Sequence, residues 1–224
     1  MAVTEIAIIH SVSGGLDKDL EAALRAAPPV LHKWRADTFP GPSAAGSERG
    51  TAMFQQIEDP AKILLTEPWD SVSQHWQWIG SDANKGLMGG LATRIAVEGD
   101  DKVVFFHLDA EIFTPAAPEG YKHLVDSPVI SIGRMYVSAE GKAAFAAKFD
   151  EVKGILEDFA KPYLVRGGWR VDKEDEGKEE FVMFVGWDAV EDHMAFAETP
   201  GFAKYSELRG FVTGADIKHY KRFI

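Results

Sequence analysis

Two stretches of this chain carry the same chemistry-bearing residues at the same spacing. They are Trp69-Asp70-Ser71-Val72-Ser73-Gln74-His75-Trp76-Gln77-Trp78 and Trp187-Asp188-Ala189-Val190-Glu191-Asp192-His193-Met194-Ala195-Phe196. Both read Trp-Asp-small-Val, two polar residues, His, two residues, aromatic. On a helix the Val, the His and the aromatic share one face, so a histidine points inward twice. A neutral imidazole in a pocket can serve as general base or acid near neutral pH. The competing role is structural, with the ring donating to a backbone carbonyl behind the signature Trp. His75 and His193 are the leading catalytic candidates on this pattern.

Other residues could complete a site. His10 shares a strand face with Ile6 and Ile8, and Tyr136 holds nearly the same place on the first strand of the second half. Either could hydrogen-bond a phenol or enol oxygen, or simply fill the interior. Trp34 and Trp78 are candidate aromatic walls, and Arg134 or Arg170 could hold a substrate carboxylate unless engaged in surface ion pairs. His107, Asp109 and Glu111 fall on one strand face, a spacing that can bind a divalent cation but more commonly faces solvent. No metal or cofactor is assigned. Trp34-Arg35-Ala36-Asp37 and Trp169-Arg170-Val171-Asp172 also look alike. The chain has no phosphate-cradling glycine loop, dinucleotide fingerprint, nucleophile elbow or zinc-protease helix.

Composition narrows the classes. A chain of 224 residues can bury a real core as one large domain or two small ones. With no cysteine there is no disulfide, thiolate metal site or thiol nucleophile. A net charge of −11, spread over both halves, disfavours phosphate backbones and anionic lipid. No run is long enough to span a membrane, and Met1–Ile9 lacks the look of a signal peptide. The expectation is a cytoplasmic protein with a small hydrophobic partner and no nucleic acid or membrane.

The elements that must position these residues come in a repeated order. Glu5–Val12 reads as a strand, then Asp17–Ala27 as a helix stopped by Pro28-Pro29, with Val30–Ala36 extended. Thr38–Gly50 is a Pro, Gly and Ser-rich loop. Thr51–Ile57 and Lys62–Thr66 are strands, followed by the first signature helix, a helical piece near Gly86–Ala96, and a strand at Lys102–Phe113. Asp70 and Asp188 are the expected N-caps, with Glu191 closing a capping box in the second copy. In the second half Val129–Val137, Tyr163–Val171, Glu180–Trp187 and Asp216–Phe223 are strands. Gly141–Ala160 is a helix with a Phe145, Phe149, Val152, Leu156, Phe159 stripe. Each half is strand, helix, strand, strand, helix, strand. That order predicts an α+β fold of tandem ferredoxin-like repeats, residues 1–114 and 128–224, joined by a Pro-rich linker at 115–127. Packed sheet to sheet, the halves would form an intramolecular barrel sufficient as a monomer, with further oligomerisation open.

At these residues the chain resembles the dimeric α/β barrel superfamily, most closely its antibiotic-biosynthesis-monooxygenase and stress-responsive domains in the fused tandem form found in fungi. The likeness rests on the strand, the Trp-Asp-x-Val-x-x-His-x-x-aromatic run, and a helix passing through Pro200-Gly201-Phe202-Ala203-Lys204-Tyr205. Members include cofactor-free monooxygenases, polyketide cyclases, haem-dependent enzymes, muconolactone isomerases and proteins without activity, so the fold does not settle the function. The resemblance implies a pocket between the helices and the sheet of one half. Oxygenases of this kind pair an asparagine with a Trp; Asn84, the only asparagine, falls outside the motif and is not given that role.

Three functions compete on this reading. The first is a cofactor-independent enzyme using His-assisted proton transfer on an aromatic or polyketide-like metabolite, as a cyclase, isomerase, lyase or monooxygenase. The second is a non-catalytic ligand-binding or stress-responsive barrel with structural histidines. The third is a haem protein with His75 or His193 as axial ligand. The first half is the expected site, with His10, His75, Trp34 and Trp78 around the ligand and the Thr38–Gly50 loop as its lid.

Overall fold

A computed structural model describes residues 1–40, 50–99, 102–113, 117–173 and 175–224. The protein is α+β, with two compact units: Met1–Thr114 together with Arg222–Ile224, and Pro115–Lys221. The first unit runs β1 (Val3–His10), α1 (Lys18–Thr38), β2 (Ala52–Gln56), β3 (Lys62–Trp69), α2 (Val72–Gly80), α3 (Asp82–Leu91) and β4 (Val104–Leu108). The second runs β5 (Val129–Ser138), α4 (Lys142–Ala160), β6 (Val165–Trp169), β7 (Lys178–Trp187), α5 (Val190–Ala195), α6 (Phe202–Tyr205) and β8 (Gly214–Arg222). Strand order is β4-β1-β3-β2 in one and β8-β5-β7-β6 in the other, antiparallel at each of these pairings. Fourth, first, third, second is the ferredoxin-like arrangement in both. Among the described residues no helix is long and apolar enough to cross a membrane.

Period-two alternation decides which strand residues meet the helices. In the first unit Val3 and Trp69 pack with Leu31 of α1 and Trp78 of α2, while Ile9, Met53 and Ile63 pack with Leu20, Leu24 and Leu91. Odd-numbered positions of β1 therefore face the helices, and Ile6, Ile8 and His10 face away. In the second unit the α4 stripe is as its spacing predicts, with Phe145, Val152 and Leu156 buried.

Several elements differ from the sequence expectation. Pro28 and Pro29 do not stop α1, which continues to Thr38 with Val30–Ala36 helical. Two adjacent prolines remove two donors, a cost of about 3 kcal/mol or more per interior proline. Leu20, Leu24, Leu31 and Arg35 are buried at helical spacing on both sides of them, and packing of that face outweighs local propensity. The N-caps also sit one residue later than expected. Ser71, not Asp70, caps α2, its Oγ accepting from the Gln74 amide, while Asp70 accepts from the Gln74 side chain. In the second copy Asp192, not Glu191, closes the turn by accepting from Ala189 N–H, and Asp188 is taken by the Tyr163 hydroxyl at 2.5 Å. Strand β4 ends at Leu108, leaving Asp109 and Glu111 exposed beyond it. No group of three metal-ligating side chains exists among the described residues. Residues 41–49 of the expected lid lie outside the described residues.

Candidate active site

The first unit holds a cavity of about 360 Å³ between its three helices and its sheet. That size is within the range of small-molecule sites. Its wall is mostly apolar, from Leu24, Pro28 and Leu31 on α1 to Trp78, Leu87 and Leu91 on α2 and α3. The polar groups come chiefly from the strands: Glu5 on β1, Thr51 beside β2, and Glu67 on β3, with His75 from α2 and Asn84 from α3.

Strand register brings these together. Glu5 is the direct antiparallel partner of Glu67 on one side and of His107 on the other, so the three side chains form a row across β3, β1 and β4. Side chains directly opposed in this way have Cβ atoms about 5 Å apart. His75 descends onto the row from α2. Its Nε2 lies 3.3 Å from Glu5 Oε2 and its Nδ1 lies 2.7 Å from His107 Nε2. Both histidines are buried. Trp69 fixes the geometry twice: its indole N–H donates to Glu5 Oε2 at 2.8 Å, and its ring stacks on His75 with centroids 4.6 Å apart.

The line Glu5–His75–His107 accommodates two proton arrangements. With Glu5 protonated, its O–H donates to His75 Nε2 and His75 Nδ1–H donates to His107 Nε2. With Glu5 ionised, His107 Nε2–H donates to His75 Nδ1 and His75 Nε2–H donates to the carboxylate. Burial pushes the Glu5 carboxyl up to about 8, with the nearby Glu67 adding to the shift and the Trp69 N–H and Arg35 opposing it. Glu5 therefore holds its proton at neutral pH.

Glu67 is held differently. Arg35 donates from a terminal guanidinium nitrogen to Glu67 Oε1 at 2.7 Å and to Pro68 O at 3.0 Å, and the Thr51 hydroxyl donates to Glu67 Oε2 at 2.6 Å. Both charged side chains are buried, at 5% and 7% exposure. The Arg35 guanidinium also lies 4.7 Å over the Trp69 ring. Burial pushes the Glu67 carboxyl up, against the pull of Arg35 and Thr51.

The second unit repeats the scaffold without the acids. Trp187 stacks on His193 at 4.8 Å, and His193 Nδ1 lies 2.8 Å from His219 Nε2. Register aligns Ser131 with Glu5 and Val185 with Glu67, because Ser131 is opposite Val185 and His219. The Trp187 indole accordingly donates to Ser131 Oγ at 2.8 Å, where Trp69 donates to Glu5. The Trp–His–His arrangement is thus common to both units, and the pair of carboxyls belongs to one.

The remaining candidates are placed apart from the cavity. His10 lies on the far face of β1, the face chosen by its alternation with Ile6 and Ile8. Trp34 packs behind Trp78 at 5.2 Å instead of lining the wall. Tyr136 and Arg134 belong to the second unit. Arg134 donates through Nε to Glu180 Oε1 at 2.5 Å, and Arg170 pairs with the same carboxylate. Arg35 and Arg170, alike in local sequence, have unrelated settings on a helix and beside a strand. Glu5 and Glu67 belong to no motif, and Asn84, which falls outside the signature run, nevertheless lines the cavity. A charged residue inside an otherwise apolar β1 was the signal for the first.

A haem axial ligand needs an unengaged imidazole nitrogen. His75 has one nitrogen against His107 and the other against Glu5, so it does not fit that role.

Two pH dependences of stability follow. Glu5 binds its proton more tightly folded, so its contribution is full below about pH 4.5 and lost as pH rises through about 8. Within that window the loss approaches about 1.4 kcal/mol per pH unit. Urea melts of Glu5→Gln across the window should show a slope shallower than wild type; parallel slopes would contradict an acid held in this way. His193 behaves oppositely. Burial first, and His219 second, hold its pKa down to about 4 from 6.5, so its contribution is present above 6.5 and lost as pH falls toward 4. His193→Phe should lose less stability than wild type between pH 7 and 4.5, and an equal loss would place the acid sensitivity elsewhere.

No family model matches the sequence, and no curated protein matches it either. In fold it is similar to several solved structures. A candidate monooxygenase from Lactobacillus acidophilus NCFM superposes with a TM-score of 0.59 at 14% identity, covering 99% of this chain and 93% of that one. An anthrone oxidase-like protein gives 0.59 at 10% identity, covering 100% and 92%. A mutant chlorite dismutase from Candidatus Nitrospira defluvii gives 0.59 at 11%, also covering 100% and 92%. At these identities the likeness is one of fold.

Proposed function

We propose that the first unit carries the active site of a small enzyme that moves a proton on a hydrophobic aromatic or polyketide-like molecule. One observation carries the reading: a carboxyl joined to two buried imidazoles in line faces an apolar cavity in one unit, while the other unit keeps the imidazoles and lacks both acids at the matching positions. A purely structural role for the histidines explains the shared part. It does not explain two costly carboxyls, one buried and the other 15% exposed, against an apolar void.

Glu5 is the group that meets the substrate. As the neutral acid it can donate to a carbonyl or phenolate oxygen. For abstraction, it first passes its proton to His75 Nε2, and the carboxylate then takes a proton from the substrate carbon or hydroxyl. Once Glu5 has delivered that proton to another atom of the substrate, the imidazolium proton returns from His75 to Glu5. His107 shares the charge on His75 through the 2.7 Å contact, and the apolar wall keeps water from competing. Proton removal from an activated aromatic carbon is a step common to cyclisation, isomerisation, lyase chemistry and cofactor-free oxygenation.

The anthrone oxidase-like neighbour suggests a probe. Anthrone has a methylene made acidic by its carbonyl and two rings. In D2O the wild-type protein should accelerate exchange of that methylene, read by proton NMR, and His75→Ala should slow it. A second reading, ligand binding without catalysis, is favoured by the recurrence of Trp–His–His in the unit that lacks the acids. Saturable binding of aromatic carbon acids with no acceleration for any of them would decide for it.

A further inference from the structure

We propose that the first-unit cavity selects by charge, accepting an uncharged aromatic molecule of two or three fused rings and rejecting the carboxylated form of the same skeleton. This rests on the cavity being the substrate site, as proposed above, but concerns which ligand enters and not what happens to it.

Three features of the wall point the same way. The strand-borne polar end carries two acids, Glu5 and Glu67, which register sets directly opposite each other, beside the uncharged Thr51 and Thr66. Among the described residues that line the cavity there is no lysine or arginine. The nearest cation, Arg35, is not part of the wall, and Glu67 Oε1 and Pro68 O already hold one of its terminal nitrogens at 2.7 and 3.0 Å. A ligand carboxylate would leave water for an apolar enclosure with no cation to receive it, and would meet two carboxyl groups there. The wall already penalises negative charge on its own members, since burial holds the Glu5 proton at neutral pH.

An uncharged ligand meets none of these penalties. Trp78 and Phe105 offer ring surfaces, and a volume of about 360 Å³ suits a fused-ring body. A hydroxyl on that body finds acceptors at Glu5 and Glu67, and a carbonyl competes with His75 for the Glu5 O–H.

Isothermal titration of the full chain at pH 7 with 2-naphthol, methyl 2-naphthoate and 2-naphthoate separates shape from charge. The two uncharged probes should bind within about threefold of each other, and the acid at least roughly tenfold more weakly. Glu67→Gln removes the counter-charge of Arg35 and should narrow or reverse that gap. Because this variant disturbs a buried pair, the ester-to-acid ratio of the wild type is the primary measurement. Ala27→Phe, which fills the cavity from α1, or Leu87→Trp from α3, should abolish binding of the uncharged probes. Equal or tighter binding of the acid overturns the proposal. So does binding that survives both filling variants, or binding of none of the three. Charge selection without any effect of His75→Ala on anthrone exchange would leave this inference standing and remove the proton-transfer reading instead.

Discussion

Replacing Glu5 with Gln is expected to lower turnover roughly 10²–10⁴-fold, the usual worth of a positioned acid or base. Ligand affinity should stay within about threefold, because Gln keeps the shape and an oxygen for the Trp69 indole. The substitution is close to isosteric with the protonated carboxyl that the site holds at neutral pH, so folding should survive it. Its counterpart in the second unit, Ser131→Ala, should leave turnover unchanged. The histidines give the matching contrast. His75→Ala breaks the line between Glu5 and His107 and should slow turnover, whereas His193→Ala should affect stability alone. If Glu5→Gln retains wild-type turnover while a His193 substitution abolishes it, the site has been assigned to the wrong unit.

The largest stability effect is expected at the pair behind Glu5. Removing one partner of a buried ion pair strands the other and costs about 3–5 kcal/mol. Glu67→Ala should fall in that range, because it leaves the Arg35 guanidinium, 5% exposed, without its carboxylate. Arg35→Met with Glu67→Leu removes both charges and should be much less destabilising than either single change, since apolar replacements of similar volume are often near neutral. Equilibrium denaturation of the two single variants and the double variant closes the cycle. A cost below about 1 kcal/mol for Glu67→Ala would mean that water already reaches the pair. The double variant also removes one of the two acids that face the cavity, so its affinity for charged and uncharged naphthalenes can be compared directly with wild type.

Much of the architecture was written in local patterns. The repeated Trp-Asp-x-Val-x-x-His run marked two equivalent strand-to-helix junctions, and the order of apolar periods indicated two ferredoxin-like units. Inward placement of His75 and His193 followed from helical spacing alone. These properties depend on residues within a turn or two of one another, which is the range that pattern reading covers. Where tertiary burial opposed a local signal, the local signal lost. Helix α1 passes through Pro28-Pro29 because Leu31 and Arg35 continue a buried stripe that Leu20 and Leu24 began.

The site required strand register, which no single segment contains. Glu5, Glu67 and His107 are separated by 62 and 40 residues in the chain, yet adjacent strands set them in one row. His10 and Glu5 stand on one short strand, and its alternation sends Glu5 to the cavity and His10 to the far face. The same register distinguishes the units, since it alone aligns Glu5 with Ser131 and Glu67 with Val185. Sequence by itself determined that a histidine would turn toward the interior twice. Tertiary structure decided that only one of the two would have a carboxyl to share a proton with, because pairing across a sheet is set by long-range hydrogen bonding and packing, and not by the residues next door.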